Sequence, residues 1–304
     1  MADDPDIGVT VVGGYLGSGK TTLVNRLLAS DSGTRWAVIV NDFGDLAIDA
    51  DLIDSGPGDL LSLDNGCICC SLADGLVSAL DTIAAADPRP DHLVIETSGV
   101  SDPGVVAGYA RLPGFALDSV VVLVDAETVI ARSHDRYVGE TVLSQIRAAD
   151  LLVVNKVDLA GADTVARTVD WLGRISPGTP ALTTTRGSVA GELLGATPRG
   201  VPRPPEGGNN AHEPRLEVFS VDEARALRPG ALESFLADLP AGVLRVKGVV
   251  AVEGVSVRRT VHRVGRRVEI TSGTEWGSET PRTRLVVIAE PGTVDEGYLE
   301  SGLA

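Results

Sequence analysis

An apolar run, Ile7 to Val12, passes through Gly13 into Gly14, four further residues, then Gly19, Lys20 and Thr21, and continues directly into the amphipathic stretch Thr21 to Leu28. A strand that ends in such a loop and a helix that starts from it gather backbone N–H groups and the positive end of a helix dipole around one point. That point suits a phosphate chain. The glycines let the loop wrap closely around it, Lys20 bridges the terminal phosphates, and the Thr21 hydroxyl can ligate magnesium. Gly14, Gly17, Ser18, Gly19, Lys20, Thr21 and Thr22 are therefore the candidate phosphate-binding set. A merely structural glycine-rich turn has no need of Lys followed by Thr at the helix start.

The pattern around the loop fits an α/β fold. Strand-length apolar runs at Ile7 to Val12, Trp36 to Val40, His92 to Ile95, Val120 to Val124, Leu151 to Val154 and Ala181 to Thr184 alternate with longer amphipathic stretches. Helices are expected at Thr21 to Leu28, Gly75 to Ala86, Gly139 to Ala149 and Ala162 to Ile175, covering a mostly parallel sheet. Residues 197–214 lose all periodicity and are rich in Pro and Gly, which reads as a linker between a domain at 1–196 and another at 215–304. Beyond it, a helix candidate at Gly230 to Leu239 and strand-like runs at Val243 to Val252, Val255 to His262, Val268 to Ile270 and Arg284 to Ala289 predict a small α+β domain.

Charge narrows the partners. With 42 acidic against 26 basic residues the formal charge is -16, which repels nucleic acid and anionic membranes unless a basic patch is concentrated somewhere. The one basic cluster, Arg258, Arg259, Arg263, Arg266 and Arg267, is interleaved with Val and reads as a solvated strand face. No apolar run reaches the length of a membrane span, and the acidic opening residues lack the features of a secretory signal, so a cytoplasmic location without direct membrane or nucleic-acid binding is expected.

Two further motifs address the nucleotide. Asn155-Lys156-Val157-Asp158 leaves the C-terminal end of an apolar run, where ligands of open parallel sheets bind. A carboxylate there can accept hydrogen bonds from guanine N1–H and its 2-amino group, a pattern adenine does not offer, so GTP and GDP are the expected ligands. Glu96, at the end of His92 to Ile95, is a candidate for the magnesium shell or a water, and Gly99 would let its N–H approach the γ-phosphate. The alternative for Glu96 is a solvated strand-end carboxylate.

The three cysteines, Cys67, Cys69 and Cys70, lie within four positions with no distant partner. This suits metal or redox chemistry better than a disulfide framework, with buried inert thiols as the alternative. Three thiolates can hold a soft or borderline ion such as Zn2+, but a tetrahedral site needs a fourth donor: Asp42, Asp45, a His, water or another protein.

These residues together resemble the CobW family of metal-chaperone GTPases, relatives of the urease and hydrogenase nickel-insertion GTPases. The resemblance rests on Gly-Gly-Tyr-Leu-Gly-Ser-Gly-Lys-Thr-Thr-Leu at 13–23, Val-Asn-Asp-Phe-Gly-Asp at 40–45, Asn-Gly-Cys-Ile-Cys-Cys at 65–70, Ile-Glu-Thr-Ser-Gly-Val-Ser-Asp-Pro at 95–103 and Asn-Lys-Val-Asp at 155–158. It implies a P-loop GTPase fold followed by a shortened CobW-like C-terminal domain. It further implies that Cys67, Cys69 and Cys70 carry zinc, or another transition metal such as Co2+, for delivery to a metal-requiring client protein. Lys20, Glu96 and Asp42 would be the catalytic set, with Thr21 and Glu96 serving Mg2+ and Gly99, Asn155, Lys156 and Asp158 completing the nucleotide site. Asn41 to Asp49 looks like the first switch, with Asp42 where the family usually has Glu. A homodimer is left open, and so is a different role for the same pocket, as a nucleotide-dependent interaction protein responding to zinc status.

Overall fold

In the computed structural model the described residues are 6–30, 33–40, 60–62, 72–195 and 216–303. Apart from 178–180, those up to 195 form one compact unit and those from 216 onward another. The strands of the first unit are β1 (Ile7–Gly13), β2 (Trp36–Val40), β3 (Leu60–Ser62), β4 (His92–Glu96), β5 (Phe115–Asp125), β6 (Leu151–Asn155) and β7 (Ala181–Thr183). They form one sheet in the order β3-β2-β4-β1-β5-β6-β7, and every recorded pairing is parallel. Helices α1 (Lys20–Ala29), α2 (Leu72–Ala84), α3 (Pro103–Tyr109), α4 (Val129–Ser133), α5 (Gly139–Ala148) and α6 (Ala162–Ile175) provide the connections.

The central strands are apolar without alternation because helices cover both faces of a parallel sheet. Leu93, Val94 and Ile95 of β4 and Leu151 to Val154 of β6 have no exposed surface. Each such side chain contributes about 1.5–3 kcal/mol on leaving water. Against them α1 packs Leu23, Val24 and Leu27, and α5 packs Val142 and Ile146. Parallel pairing also sets every strand end on one edge: Val12 and Val40 each lie opposite Glu96, and Asp125 lies opposite Asn155. The chain leaving β1 goes to β2 on one side, whereas that leaving β5 goes to β6 on the other, which opens a ligand crevice outside the carboxyl ends of these strands.

Several elements depart from expectation. β5 begins at Phe115 rather than Val120, because Asp118 and Ser119 interrupt the apolar run without ending the strand. The register with β1 shifts there, passing from Val9 opposite Leu117 to Thr10 opposite Ser119, so Asp118 is the extra residue of a bulge. The short α3 was not anticipated, although Asp102 caps it by accepting Gly104 N–H at 2.8 Å and Pro103 stands at its first position. The short α4 and β3 carried too few residues to show a period.

The second unit is an antiparallel sheet of β8 (Glu217–Glu223), β9 (Val243–Val250), β10 (Val257–Val264), β11 (Arg267–Glu275) and β12 (Thr283–Ala289), in the order β11-β10-β9-β12-β8. Helices α7 (Ala231–Asp238) and α8 (Glu296–Gly302) contribute Leu232, Phe235, Leu236 and Leu299 to a core shared with Val246, Val250, Val261, Leu285 and Val287. Here β11 is longer than the predicted Val268 to Ile270, since ladder bonds to β10 hold its polar continuation through Glu275. Edge strand β8 and helix α8 were not anticipated. The expected solvated arginine face also needs correction at one position. Arg263 is 8% exposed and donates to the Val243 carbonyl at 2.7 Å, and its burial lowers its pKa. The linker expected at 197–214 lies outside the described residues.

Candidate nucleotide site

The crevice is built from the ends of β1, β4, β5 and β6. Between β1 and α1 the chain turns through Gly14 (φ 136°), Gly17 (φ 75°) and Gly19 (φ 104°), a backbone region that side chains make costly. Space forbids a side chain at two of these positions as well. A methyl on Gly14 would lie 2.3 Å from the Leu123 carbonyl oxygen, and one on Gly19 would lie 2.3 Å from Asn155 Nδ2. Helix α1 then starts with no side-chain cap and no acid in its first turn. This helix end carries no negative charge of its own, and helix termini favour an anion here.

Lys20 is 8% exposed, and its Nζ donates to the Gly14 carbonyl at 3.0 Å, folding the ammonium over the loop where phosphates would lie. The Thr21 hydroxyl donates to Glu96 Oε1 at 2.9 Å. Glu96 is 2% exposed, so it is not the solvated strand-end acid of the alternative reading. A hydroxyl and a carboxylate meeting beside the phosphate loop are hard oxygen donors, the set that suits Mg2+ alongside phosphate oxygens. Ser18 and Gly19 complete the loop, and Thr22 points outward as an exposed residue.

Asn155, at the end of β6, faces inward. Its Nδ2 donates to the Ser18 carbonyl at 2.8 Å and its Oδ1 accepts the Gly187 N–H at 2.9 Å, so one buried amide ties the phosphate loop to the turn after β7. Lys156 follows with φ 63°, and its Nζ reaches Asp125 Oδ2 at 2.8 Å. Burial raises the Asp125 pKa, but Lys156 and the N–H groups of Glu127 and Thr128 outweigh it and hold the carboxyl below the usual range. Asp158, two residues on, is exposed.

Gly99 borders the other side of the loop. A methyl there would lie 2.8 Å from the Leu16 backbone nitrogen and 2.5 Å from its Cδ2, so only glycine allows this approach. Asp42, the alternative donor Asp45, and Cys67, Cys69 and Cys70 lie outside the described residues, and among the described residues no cluster of three metal-binding side chains occurs.

The sequence reading passed over three participants: Asp125, the turn at Arg186 to Ser188, and Gln145 of α5. Asp125 carried a usable signal, an acid closing an apolar strand run as Glu96 does. The other two act through backbone atoms distant in sequence and leave no local signature.

Known proteins resemble this chain along most of its length. Residues 8–183 match the family described as CobW/HypB/UreG, nucleotide-binding domain, and residues 216–304 match the cobalamin synthesis protein cobW C-terminal domain. A zinc chaperone CobW from a Sinorhizobium species is 31% identical, with 94% of each chain covered. Zinc chaperone YjiA of Escherichia coli (strain K12) is 30% identical over 93% of each. Among solved structures, Zn(II)-bound YjiA GTPase from E. coli aligns over 99% of each chain at 26% identity with a TM-score of 0.48. The chain belongs to the CobW/HypB/UreG family, with a nucleotide-binding domain followed by a cobW C-terminal domain.

Proposed function

We propose that this P-loop GTPase is a metallochaperone, which holds zinc on Cys67, Cys69 and Cys70 and passes it to a client protein as GTP is hydrolysed. The observation that carries the reading is a register. Val40 of β2 pairs with Glu96 of β4 and with Ser62 of β3. The chain therefore sets out toward Asp42, and later toward the cysteines, from the same sheet edge that bears Glu96 and the phosphate loop. Full-length similarity to two proteins named zinc chaperones supports zinc as the cargo. Thiolate donors also accept Co2+.

In this reading Lys20 leaves the Gly14 carbonyl for the β- and γ-phosphates, while the loop N–H groups cradle the chain. Thr21 and Glu96 would hold Mg2+, which would neutralise charge on the phosphates. Gly99 N–H meets the γ-phosphate, Asp42 serves the attacking water, and Asp158 reads guanine N1–H and the 2-amino group. Water displaces GDP from the γ-phosphorus, releasing inorganic phosphate. Zinc affinity at the cysteines is then coupled to the γ-phosphate, as in other nucleotide switches.

Zinc affinity measured with GDP and with a non-hydrolysable GTP analogue tests the coupling. The expected outcome is tighter zinc binding with the analogue, abolished by Cys69→Ala. Equal affinities in the two nucleotide states would sink it, since a ligand shifts an equilibrium only through differential binding.

A further inference from the structure

Gln145 of α5 takes no part in any sequence motif, yet it is 1% exposed and its Nε2 donates to two backbone oxygens, Gly99 O at 3.1 Å and Ser101 O at 2.8 Å. Both partners are carbonyls, so only the NH2 end of the amide can face them. The preceding residue, Ser144, donates its hydroxyl to Asp102, and Asp102 in turn caps α3. Two neighbouring side chains of one helix thus grip 99–102 at three points. The gripped segment is the one whose Gly99 lies against the backbone of Leu16 in the phosphate loop.

We propose that Gln145 is a positioning residue for the γ-phosphate. It fixes the peptide planes that follow Gly99 and Ser101, and so holds in place the backbone from which Gly99 presents its N–H at the outer end of the phosphate loop, where it senses whether a third phosphate is present. This rests on the GTPase reading above. It adds that discrimination between GTP and GDP is set from α5, by a side chain that touches neither nucleotide nor metal. The α- and β-phosphates are cradled by loop N–H groups and Lys20, whereas the Gln145 amide donates to Gly99 and Ser101 instead, so its loss leaves GDP binding intact.

Gln145→Glu is the sharp test, because an isosteric carboxylate presents acceptors to two acceptors. Gln145→Met keeps the volume without either charge or donor. Binding of GDP and of a non-hydrolysable GTP analogue is measured for the full chain with Mg2+. The expected result is a loss of about tenfold in analogue affinity for both variants, the order of two ordinary hydrogen bonds, with GDP affinity unchanged within about twofold on the same scale. Lowering the pH restores part of the analogue affinity in Gln145→Glu, since a protonated carboxyl regains one donor, and leaves Gln145→Met unaffected. Equal losses for the two nucleotides, or no loss, overturn the proposal. In the unaltered chain, amide exchange over 97–103 slows on replacing GDP by the analogue; the same rate in both states overturns it even if neither variant folds. A wild-type chain that binds no guanine nucleotide defeats the GTPase reading itself, an outcome distinct from a wild type that discriminates and variants that still do.

Discussion

Asp125 ends β5 and Glu290 follows β12, and their surroundings push them in opposite directions. Lys156 and two backbone N–H groups overcome the burial of Asp125 and depress its pKa, so its stabilisation is present at neutral pH and is lost only as pH falls through that lowered value. Glu290 has burial alone, which raises its pKa. Its contribution is therefore fully present below the ordinary glutamate value and is lost as pH rises through the raised one. Glu290→Gln removes a poorly solvated charge. Denaturant unfolding should find that variant more stable at pH 7, by less than about 1 kcal/mol because solvent screens a half-exposed carboxylate, and unchanged near pH 4. A loss at pH 7 would mean that the carboxylate has a partner that offsets its burial. At this scale the expected residues are legible where the chemistry is local: Lys20 folds back over its own loop to the Gly14 carbonyl, while the contact of Thr21 with Glu96 joins two separate motifs. Asn155 is expected at the site from its motif, and its partners in the structure are the Ser18 carbonyl and the Gly187 N–H, backbone atoms that carry no sequence signature.

Elements were legible in proportion to how much of their pattern burial imposed. β2 and α6 occupy the expected ranges, and β4 and β6 run one residue past theirs, because continuous apolar runs and a long amphipathic period leave few alternatives. The start of β5 was hidden by the bulge at Asp118, and β8 and the far half of β11 by exposure, since polar edge segments are held by ladder bonds that no period reveals. The phosphate loop obeys a steric rule that separates its glycines. Gly14 combines a positive φ with a methyl position 2.3 Å from a β5 carbonyl, whereas Gly17 has the positive φ and open space around it. Gly17→Ala should cost about 1–2 kcal/mol of stability through backbone strain alone. Gly14→Ala should cost more than that and abolish guanine nucleotide binding, because the loop must move off β5. Thermal unfolding with a nucleotide titration compares the two, and equal effects would show that strain, not the approach to Leu123, governs the loop.

The molecule as a whole divides its chemistry unevenly. Every described residue of the nucleotide crevice belongs to the first unit, while the second has its own antiparallel sheet and its own core around Phe235, Val246 and Leu285. No described helix is long and apolar enough to cross a membrane, and the charge of -16 falls on a chain whose arginines include a buried Arg263. A ligand that binds only the folded first unit stabilises it by mass action, about 2.7 kcal/mol at a hundredfold excess over its dissociation constant. Amide exchange of the full chain with Mg2+ and GDP should therefore slow in β1, β4, β5 and β6 by the factor this free energy implies, about a hundredfold where exchange needs unfolding of the unit. Strands β9, β10 and β12 of the second unit should exchange at their nucleotide-free rates. Matching protection in both would mean that the two cores open as a single cooperative unit, and that nucleotide binding in the crevice is felt throughout the C-terminal domain.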